Sequence, residues 1–240
     1  MKDKAAAAEI AHITAFLAER FAEQGVSVES LRQAVLVAND QTEAIPYRWQ
    51  DELIMQFVPP NARVLDLGCG SGELLERLVR ERGVTPQGVE IDAMEVVACI
   101  ERGVPVLQAD IDEGLKQFPD ATFDVVVLEE TLQTLRRPDR LLEEMLRVGR
   151  HGVVTFPNFA HWRVRLDLVL HGHMPVTRQL PHSWYDTPNI HLCSINDFLV
   201  WVHEAGAAIE AGHVLVEGAV RPYAPGDNLH ASEALFIVSR

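Results

Sequence analysis

From Arg63 onward, short β-branched apolar runs alternate with amphipathic stretches, the pattern of a parallel sheet whose strands are joined by crossover helices. It predicts strands over Arg63–Leu67, Gln87–Glu90, Pro105–Gln108, Phe123–Leu128 and Gly152–Phe156. Between them it predicts helices over Gly72–Glu81, Ala93–Arg102, a short one at Glu113–Phe118, and Arg137–Val148. These elements make a doubly wound α/β core. A short helix from Tyr47 that stops before Pro59-Pro60 leads into it. Upstream, Ile10, Ile13, Leu17 and Phe21 recur at helical spacing over residues 5–24, and a second helix over Val28–Ala38 follows Ser27. Residues 1–45 therefore read as a helical extension, either a packing element or a docking arm, on a main domain over 46–240.

The pattern changes after the fifth strand. Pro157–His191 is dense in Pro, His, Trp and Arg, including Trp162 and Trp184, and reads as a lid for a substrate or partner. Ser194 is placed to cap a helix. Two later runs, Ile209–Glu217 and Leu235–Ser239, are joined by the turn-rich Pro222–Asn228 and predict a closing antiparallel pair.

Composition narrows the class. The 240 residues are 48% apolar and 23% charged, which excludes disorder as the main character. With 21 Lys and Arg against 35 Asp and Glu, the formal charge is −14, which opposes nucleic acid and anionic membranes as partners. Cys69, Cys99 and Cys193 form neither a disulfide framework nor a zinc knuckle, and no apolar stretch is long enough to span a bilayer. A cytoplasmic location is expected. One stretch departs from the mean charge: Arg136 to Arg178 holds eight Arg (136, 137, 140, 147, 150, 163, 165, 178) against four acids (139, 143, 144, 167), suited to an acidic partner or a carboxylate substrate. Arg163 and Arg165 beside Trp162 are the best docking candidates there.

The most informative chemistry is Val64-Leu65-Asp66-Leu67-Gly68-Cys69-Gly70-Ser71-Gly72-Glu73-Leu74, a strand entering a glycine-rich turn and then a helix. A dinucleotide loop would place glycine at position 73, and carboxylates at Asp66 and Glu73 would repel a pyrophosphate at the helix start. S-adenosylmethionine, which has no phosphate and carries a sulfonium and an ammonium, suits such an acidic cradle. Glu90 ends the next strand, 22 residues after Gly68, where a carboxylate can accept from ribose hydroxyls. Asp110 ends the third strand, where the adenine amino group needs an acceptor. Three acids at three successive strand ends fall on the rim where open α/β sheets bind ligands.

The series VLDLGCGSGELL, GVEID, QADIDEGL, FDVVVLEETLQ and EEMLRVGR resembles class I methyltransferases. More narrowly, TFPNFAHWRVR followed by MPVTRQLPHSWYDTPNIHLCS closely resembles the MetW family of methionine-biosynthesis proteins, over about residues 50–216. The resemblance implies a Rossmann-like class I methyltransferase fold, with a mostly parallel seven-stranded sheet whose last strand is antiparallel. It also implies S-adenosylmethionine as cofactor, S-adenosylhomocysteine as the product of any turnover, and a homoserine O-acetyltransferase or O-succinyltransferase as partner. By carry-over, Asp66, Gly68, Gly70 and Gly72 line the methionine moiety, with Cys69 a small packed residue among them. Glu90 and Ile91 fall to the ribose, and Asp110 and Ile111 to the adenine.

Glu129 and Glu130, past the fourth strand, with Asn158, His161, Tyr185, Asp186 and His191, are the residues such folds turn towards the transferable methyl, and Glu129 also borders the cofactor. Each has a plainer alternative: His191 can bond a backbone carbonyl, and Trp162 and Trp184 can pack as lid. His171-Gly172-His173 lacks a third ligand at metal spacing, so no metal site is expected. No GxSxG elbow supports hydrolysis. The leading reading is a cofactor-binding partner protein that regulates an acyltransferase. A methyltransferase acting on a small molecule is the alternative. A nicotinamide oxidoreductase is opposed by Glu73, and a scaffold without cofactor by the intact acid and glycine set. Self-association is left open.

Overall fold

The computed structural model describes Glu19, residues 48–177 and residues 179–240, with the backbone alone at Leu170 and His171. Apart from Glu19, the two helices expected in the first 45 residues lie outside the described residues, as does Arg178 of the basic stretch.

In chain order the elements are α1 (Trp49–Phe57), β1 (Arg63–Leu67), α2 (Glu73–Arg82), β2 (Thr85–Glu90), α3 (Ala93–Glu101), β3 (Val106–Gln108), β4 (Phe123–Leu128), α4 (Pro138–Val148) and β5 (Gly149–Pro157). Then follow α5 (Trp162–His171), α6 (Ile195–Glu204), β6 (Ala208–Val216), β7 (Ala219–Pro222), α7 (Asp227–His230) and β8 (Glu233–Ser239). One sheet runs in the order β3-β2-β1-β4-β5-β8-β6-β7. β1 to β5 are parallel, β8 is antiparallel to both β5 and β6, and β7 is antiparallel to β6.

The central strands are buried on both faces, which is why they read as continuous apolar runs. Val64, Val125 and Val127 point to the face covered by Trp49, Ile54, Leu74, Leu75, Leu78 and Cys99 from α1, α2 and α3. Leu65, Leu67, Val126 and Leu128 point to the opposite face, covered by Leu141, Leu142 and Met145 of α4 and Ile195, Phe198 and Val202 of α6. Asp66 shares the parity of Val64, so its carboxyl lies on the face that α1 covers.

Among the described residues the sheet has eight strands, not the seven expected. The extra strand, β7, follows a two-residue turn at Glu217 and Gly218, whose φ values of 50° and 80° match the twist of a hairpin. A Glu-Gly pair carries less turn signal than Asn-Gly, and Pro222 ends the strand on the sheet edge. β2 begins at Thr85, two residues before its expected start. Pro86 is paired with β1 but precedes the first β2–β3 pair at Gly88, so its missing N–H breaks no ladder. The helix expected over Glu113–Phe118 is instead a 3₁₀ turn at Ile111–Glu113, stopped by Gly114 at φ 90°.

α5 was not foreseen in the stretch of mixed character. The ring Nδ1 of His161 accepts the Arg163 amide at 3.4 Å, and Gly172 closes the helix at φ 66°. The expected cap of α6 is present as a reciprocal box: Ser194 Oγ accepts the Asp197 amide at 3.2 Å, and Asp197 Oδ2 accepts the Ser194 amide at 3.1 Å.

Among the described residues, no helix is long and apolar enough to cross a membrane.

Candidate functional site

Chain order reverses between β1 and β4, which are adjacent in the sheet although β2 and β3 intervene in sequence. That switch point opens a crevice at the carboxyl ends of the strands. The glycine loop lies on its β1 side. Gly68, Gly70 and Gly72 have φ values of 76°, 51° and 79°, all in the left-handed region. A Cβ at Gly68 would stand 2.8 Å from Thr131 Oγ1 and one at Gly72 would stand 2.9 Å from Cys99 Sγ, whereas one at Gly70 would meet nothing within 4 Å. The loop is thus packed at its two ends and open in the middle, where a ligand can approach the backbone.

Glu90 ties the loop to β2. Its Oε2 accepts the Gly70 amide at 2.9 Å, and its Oε1 accepts the amides of Ile91 and Asp92 at 2.8 and 2.9 Å. A carboxylate offers about four acceptor positions, so roughly one is left for a ligand. Ile91, next along, is 61% exposed. Asp110 caps the 3₁₀ turn, accepting the Asp112 amide at 2.9 Å, and the following Ile111 is buried.

Cys69 and Cys99 bracket the loop with their sulfurs 3.8 Å apart, and Cys99 donates to the Gly70 carbonyl at 3.0 Å. Burial pushes both thiols up from their ordinary range, so neither is an activated nucleophile.

The β4 side carries a cluster of acids. Asp66 is buried, and its carboxyl is raised to about 7 by that burial and next by Asp51, with Arg48 pulling the other way. Glu129 is raised to about 9, by burial first and then by the charges of Asp51 and Asp66. Asp51, on α1, is raised by its own burial and hydrogen-bonds Glu129. Glu130, at φ 48°, accepts from Gln50 Nε2 at 3.1 Å and donates its amide to Thr155 Oγ1 at 2.9 Å. The same Gln50 nitrogen and Trp49 Nε1 also reach Glu233 Oε2, at 2.9 and 2.6 Å.

Sequence reading missed Arg48, Gln50 and Asp51, because α1 was expected only as a lead-in helix. The sequence carried no signal for them: Trp49, Gln50 and Asp51 are consecutive and all buried in the structure, which a one-sided amphipathic pattern does not predict.

Of the residues expected around a transferable methyl, Glu129 and Glu130 belong to this acid cluster, and the others have these surroundings. Asn158 is buried with its amide fully engaged: Nδ2 donates to the carbonyls of Asn228 and Ala231 at 3.0 and 2.8 Å, and Oδ1 accepts from Ala160 and Ile195 at 3.1 and 3.3 Å. His161 caps α5, and burial holds its ring down to about 4. His191 places Nε2 3.3 Å from the Arg136 carbonyl, and its amide donates to the Gln133 carbonyl at 3.0 Å. Tyr185 is 73% exposed, edge-on to Trp184 at 5.7 Å.

Of the docking candidates, Trp162 is buried, with Arg163 stacked over its ring at 5.3 Å, and Arg165 donates Nε to the Ala160 carbonyl at 2.6 Å. Trp184, the other tryptophan of the lid stretch, is 76% exposed. Among the described residues, no group of three or more His, Cys, Asp or Glu is placed to hold a metal.

Comparison with known proteins agrees with this architecture. The model of the family described as "Methionine biosynthesis protein MetW" matches residues 48–238. A relative described as bifunctional methionine biosynthesis protein MetXA/MetW, from Rhodopirellula baltica, is 40% identical over 157 residues, covering 61% of this chain and 25% of the relative. The 2-methyl-6-phytyl-1,4-hydroquinone methyltransferase of a Synechocystis strain is 30% identical over 161 residues, covering 65% of this chain and 45% of that one. This chain thus spans less than half the length of either relative. Among solved structures, an S-adenosylmethionine dependent methyltransferase from Mesorhizobium loti superposes with a TM-score of 0.58 at 18% identity, covering 79% of this chain and 96% of that one, which shows the shared fold.

Proposed function

The chain belongs to the MetW family of methionine biosynthesis proteins, and from that premise we propose that it binds S-adenosylmethionine and acts with a homoserine O-acyltransferase in methionine synthesis. The observation that carries the cofactor reading is the company of Asp66: a buried carboxyl at the mouth of a glycine loop, raised to about 7 by burial and by Asp51. Such a cluster repels phosphate and is relieved by a cation. In this reading Asp66, Gly68, Cys69, Gly70 and Gly72 line the methionine end, with Glu129 at its border. Glu90 and Ile91 take the ribose, and Asp110 and Ile111 take the adenine. When bound, S-adenosylmethionine supplies a methyl group carried on a sulfonium.

Asp66 balances positive charge, Glu90 holds the loop amide in place, and the open face of Gly70 lets the ligand approach. The test is calorimetric titration with S-adenosylmethionine and S-adenosylhomocysteine, repeated on Asp66→Ala and Glu90→Ala. Saturable binding by the wild type, lost in both variants, is expected. A wild type that binds neither compound returns the chain to the scaffold reading.

The partner reading rests on the lid, where Trp184 and Tyr185 stand out from a segment pinned by the amides of Ile190 and His191 to the Gln133 carbonyl. Exposed aromatics on a fixed backbone are suited to an interface. Trp184→Ala is expected to weaken co-purification with the acyltransferase, acetyl or succinyl type, while leaving cofactor binding intact. The cysteines are free thiols, in keeping with a cytoplasmic site of action.

A second reading, a methyltransferase acting on a small molecule, is favoured by Glu129, a carboxyl kept protonated at neutral pH beside the cofactor rim. It requires formation of S-adenosylhomocysteine from S-adenosylmethionine with an added acceptor, which the partner reading does not.

A further inference from the structure

The arginine-rich stretch that begins at Arg136 is not used by the crevice, and most of its guanidinium groups are engaged within the fold. Arg137 pairs with Asp139 at 3.0 Å, Arg150 faces Asp124 at 3.9 Å, Arg163 lies over Trp162, and Arg165 donates to the Ala160 carbonyl. Arg147 has all five of its N–H donors occupied. Nε and Nη2 reach Glu144 at 2.7 and 2.8 Å, and Nη1 reaches Asp120 at 2.7 Å. The carbonyls of Leu115 and Phe118 take the other two, at 3.1 and 3.0 Å. The side chains of Arg136 and Arg140 are left over, and Arg140 lines a cavity. On a helix the natural partner of Arg140 is Glu144, four residues on, but Arg147 and the Leu115 amide already occupy that carboxylate.

The cavity has a volume of about 420 Å³ and lies between α4 and the chain that follows the 3₁₀ turn after β3. Arg140 stands on the α4 wall and Lys116 on the other. Among the described residues, neither side chain is hydrogen-bonded or ion-paired, and both are exposed. Two of the three acids in the lining are unavailable. Asp112 accepts the amides of Arg136 and Arg137 at 2.9 and 3.2 Å, and Glu144 is held as above, so Glu113 alone stands against the two cations. In a chain of formal charge −14, such a local surplus of positive charge draws an anion where the rest of the surface repels it. The buried Ile111 and Leu141 add an apolar floor, and the volume suits a metabolite better than a bare ion.

We propose that Arg140 and Lys116 form a binding site for a small organic dianion, a phosphate monoester or a dicarboxylate, in the cavity between α4 and the 3₁₀ turn. A guanidinium fork grips either group through two N–H donors, and an ammonium across from it supplies a point charge. Arg137, whose pair with Asp139 is half-exposed and therefore weak, can turn to the same ligand. None of the lining residues belongs to the glycine loop or to the acids of the crevice, so the site stands apart from the cofactor reading.

The test is calorimetric titration of the full chain, at fixed ionic strength, with glycerol 3-phosphate, with succinate and, as the uncharged control, with glycerol. Wild type is compared with Arg140→Gln, Lys116→Gln and Arg80→Gln, the last an exposed arginine of α2 outside the cavity. Saturable binding of a dianion but not of glycerol is expected, weakened about tenfold or more by each cavity substitution and unchanged in Arg80→Gln. Binding of glycerol 3-phosphate alone makes the ligand a phosphate ester, and binding of succinate alone makes it a dicarboxylate. Arg140→Lys, which keeps the charge without the fork, should recover part of the loss. Melting temperatures equal to that of the wild type show that the variants are folded. The site is overturned if the wild type binds neither dianion, if both cavity variants bind as the wild type does, or if Arg80→Gln weakens binding equally, which is the mark of diffuse charge. A glutamate-rich peptide that binds where neither dianion does also overturns it, and makes the surface a docking face for an acidic chain.

Discussion

Glu90, the last residue of β2, accepts the amide of Gly70 at 2.9 Å, so the carboxylate ending one strand fixes the middle of the loop that leaves its neighbour. Its other oxygen holds the chain entering α3 through Ile91 and Asp92. Glu90→Ala leaves three amides to find water and frees the loop. We expect a stability loss of about 2 kcal/mol and loss of cofactor binding. Glu90→Gln, which keeps one acceptor oxygen, should cost less on both counts. Thermal melts and titrations of the two variants check the order, and equal effects from Gln and Ala would show that the amides are indifferent to the side chain.

The three loop glycines differ in what surrounds them, and substitution should rank them. Gly70→Ala meets open space and carries only the backbone cost of the left-handed region, about 1 kcal/mol. Gly72→Ala adds contact with Cys99 Sγ at 2.9 Å and should cost about 3 kcal/mol. Because Cys99 is fully buried, its sulfur has little room to retreat. Gly72→Ala combined with Cys99→Ala should therefore recover part of the loss, a coupling that denaturant unfolding of the single and double variants measures. Strict additivity would place the strain elsewhere.

The acid rim was legible because its chemistry is local: a glycine loop needs left-handed backbone, and carboxylates beside it oppose phosphate whatever the topology. Strand-end acids such as Glu90 and Asp110 fall on one edge as soon as the strands are parallel. Asp51 was not legible, since a polar residue in a helix carries meaning only once packing buries it against β1 and β4. α5 was hidden for another reason. His161 is a rare helix cap, and the Pro, His and Trp content around it suits irregular chain as well as helix. The eighth strand was lost in a turn whose Glu-Gly pair is a weak hairpin signal. For Trp162 and Trp184, composition placed both in the lid but did not tell that one packs and the other stands in solvent.

Asn158 shows how a residue at the expected position can have another task. Its side chain joins four backbone groups from the end of β5, the start of α6 and the residues around α7. Asn158→Ala strands buried donors and acceptors, and a loss of about 3 kcal/mol is expected. Under conditions where the variant is still folded, cofactor affinity should stay within a few-fold of the wild type. A variant of normal melting temperature that has lost a transfer activity would return Asn158 to the chemistry.

The acid cluster sets the pH dependence of the ligand-free protein. Asp66 rises from 3.8 to about 7 on folding, so between those values the folded state binds a proton that the unfolded state has lost. Its contribution to stability is present at low pH and disappears as pH climbs through about 7. Glu129, raised to about 9, extends the same trend upward. His161 works in the opposite sense: burial lowers it from 6.5 to about 4, so stability falls as pH drops through that interval. The window from about pH 6.5 to 9 is therefore governed by the two carboxyls, and the melting temperature should decline across it. Asp66→Asn flattens the lower part of the decline and Glu129→Gln the upper part. A cation at the rim favours the ionised acids, so S-adenosylmethionine affinity should strengthen as pH rises from 6 to 8, and that trend should be absent in Asp66→Asn. A melting temperature that rises across this window in the wild type would place the protons on other groups.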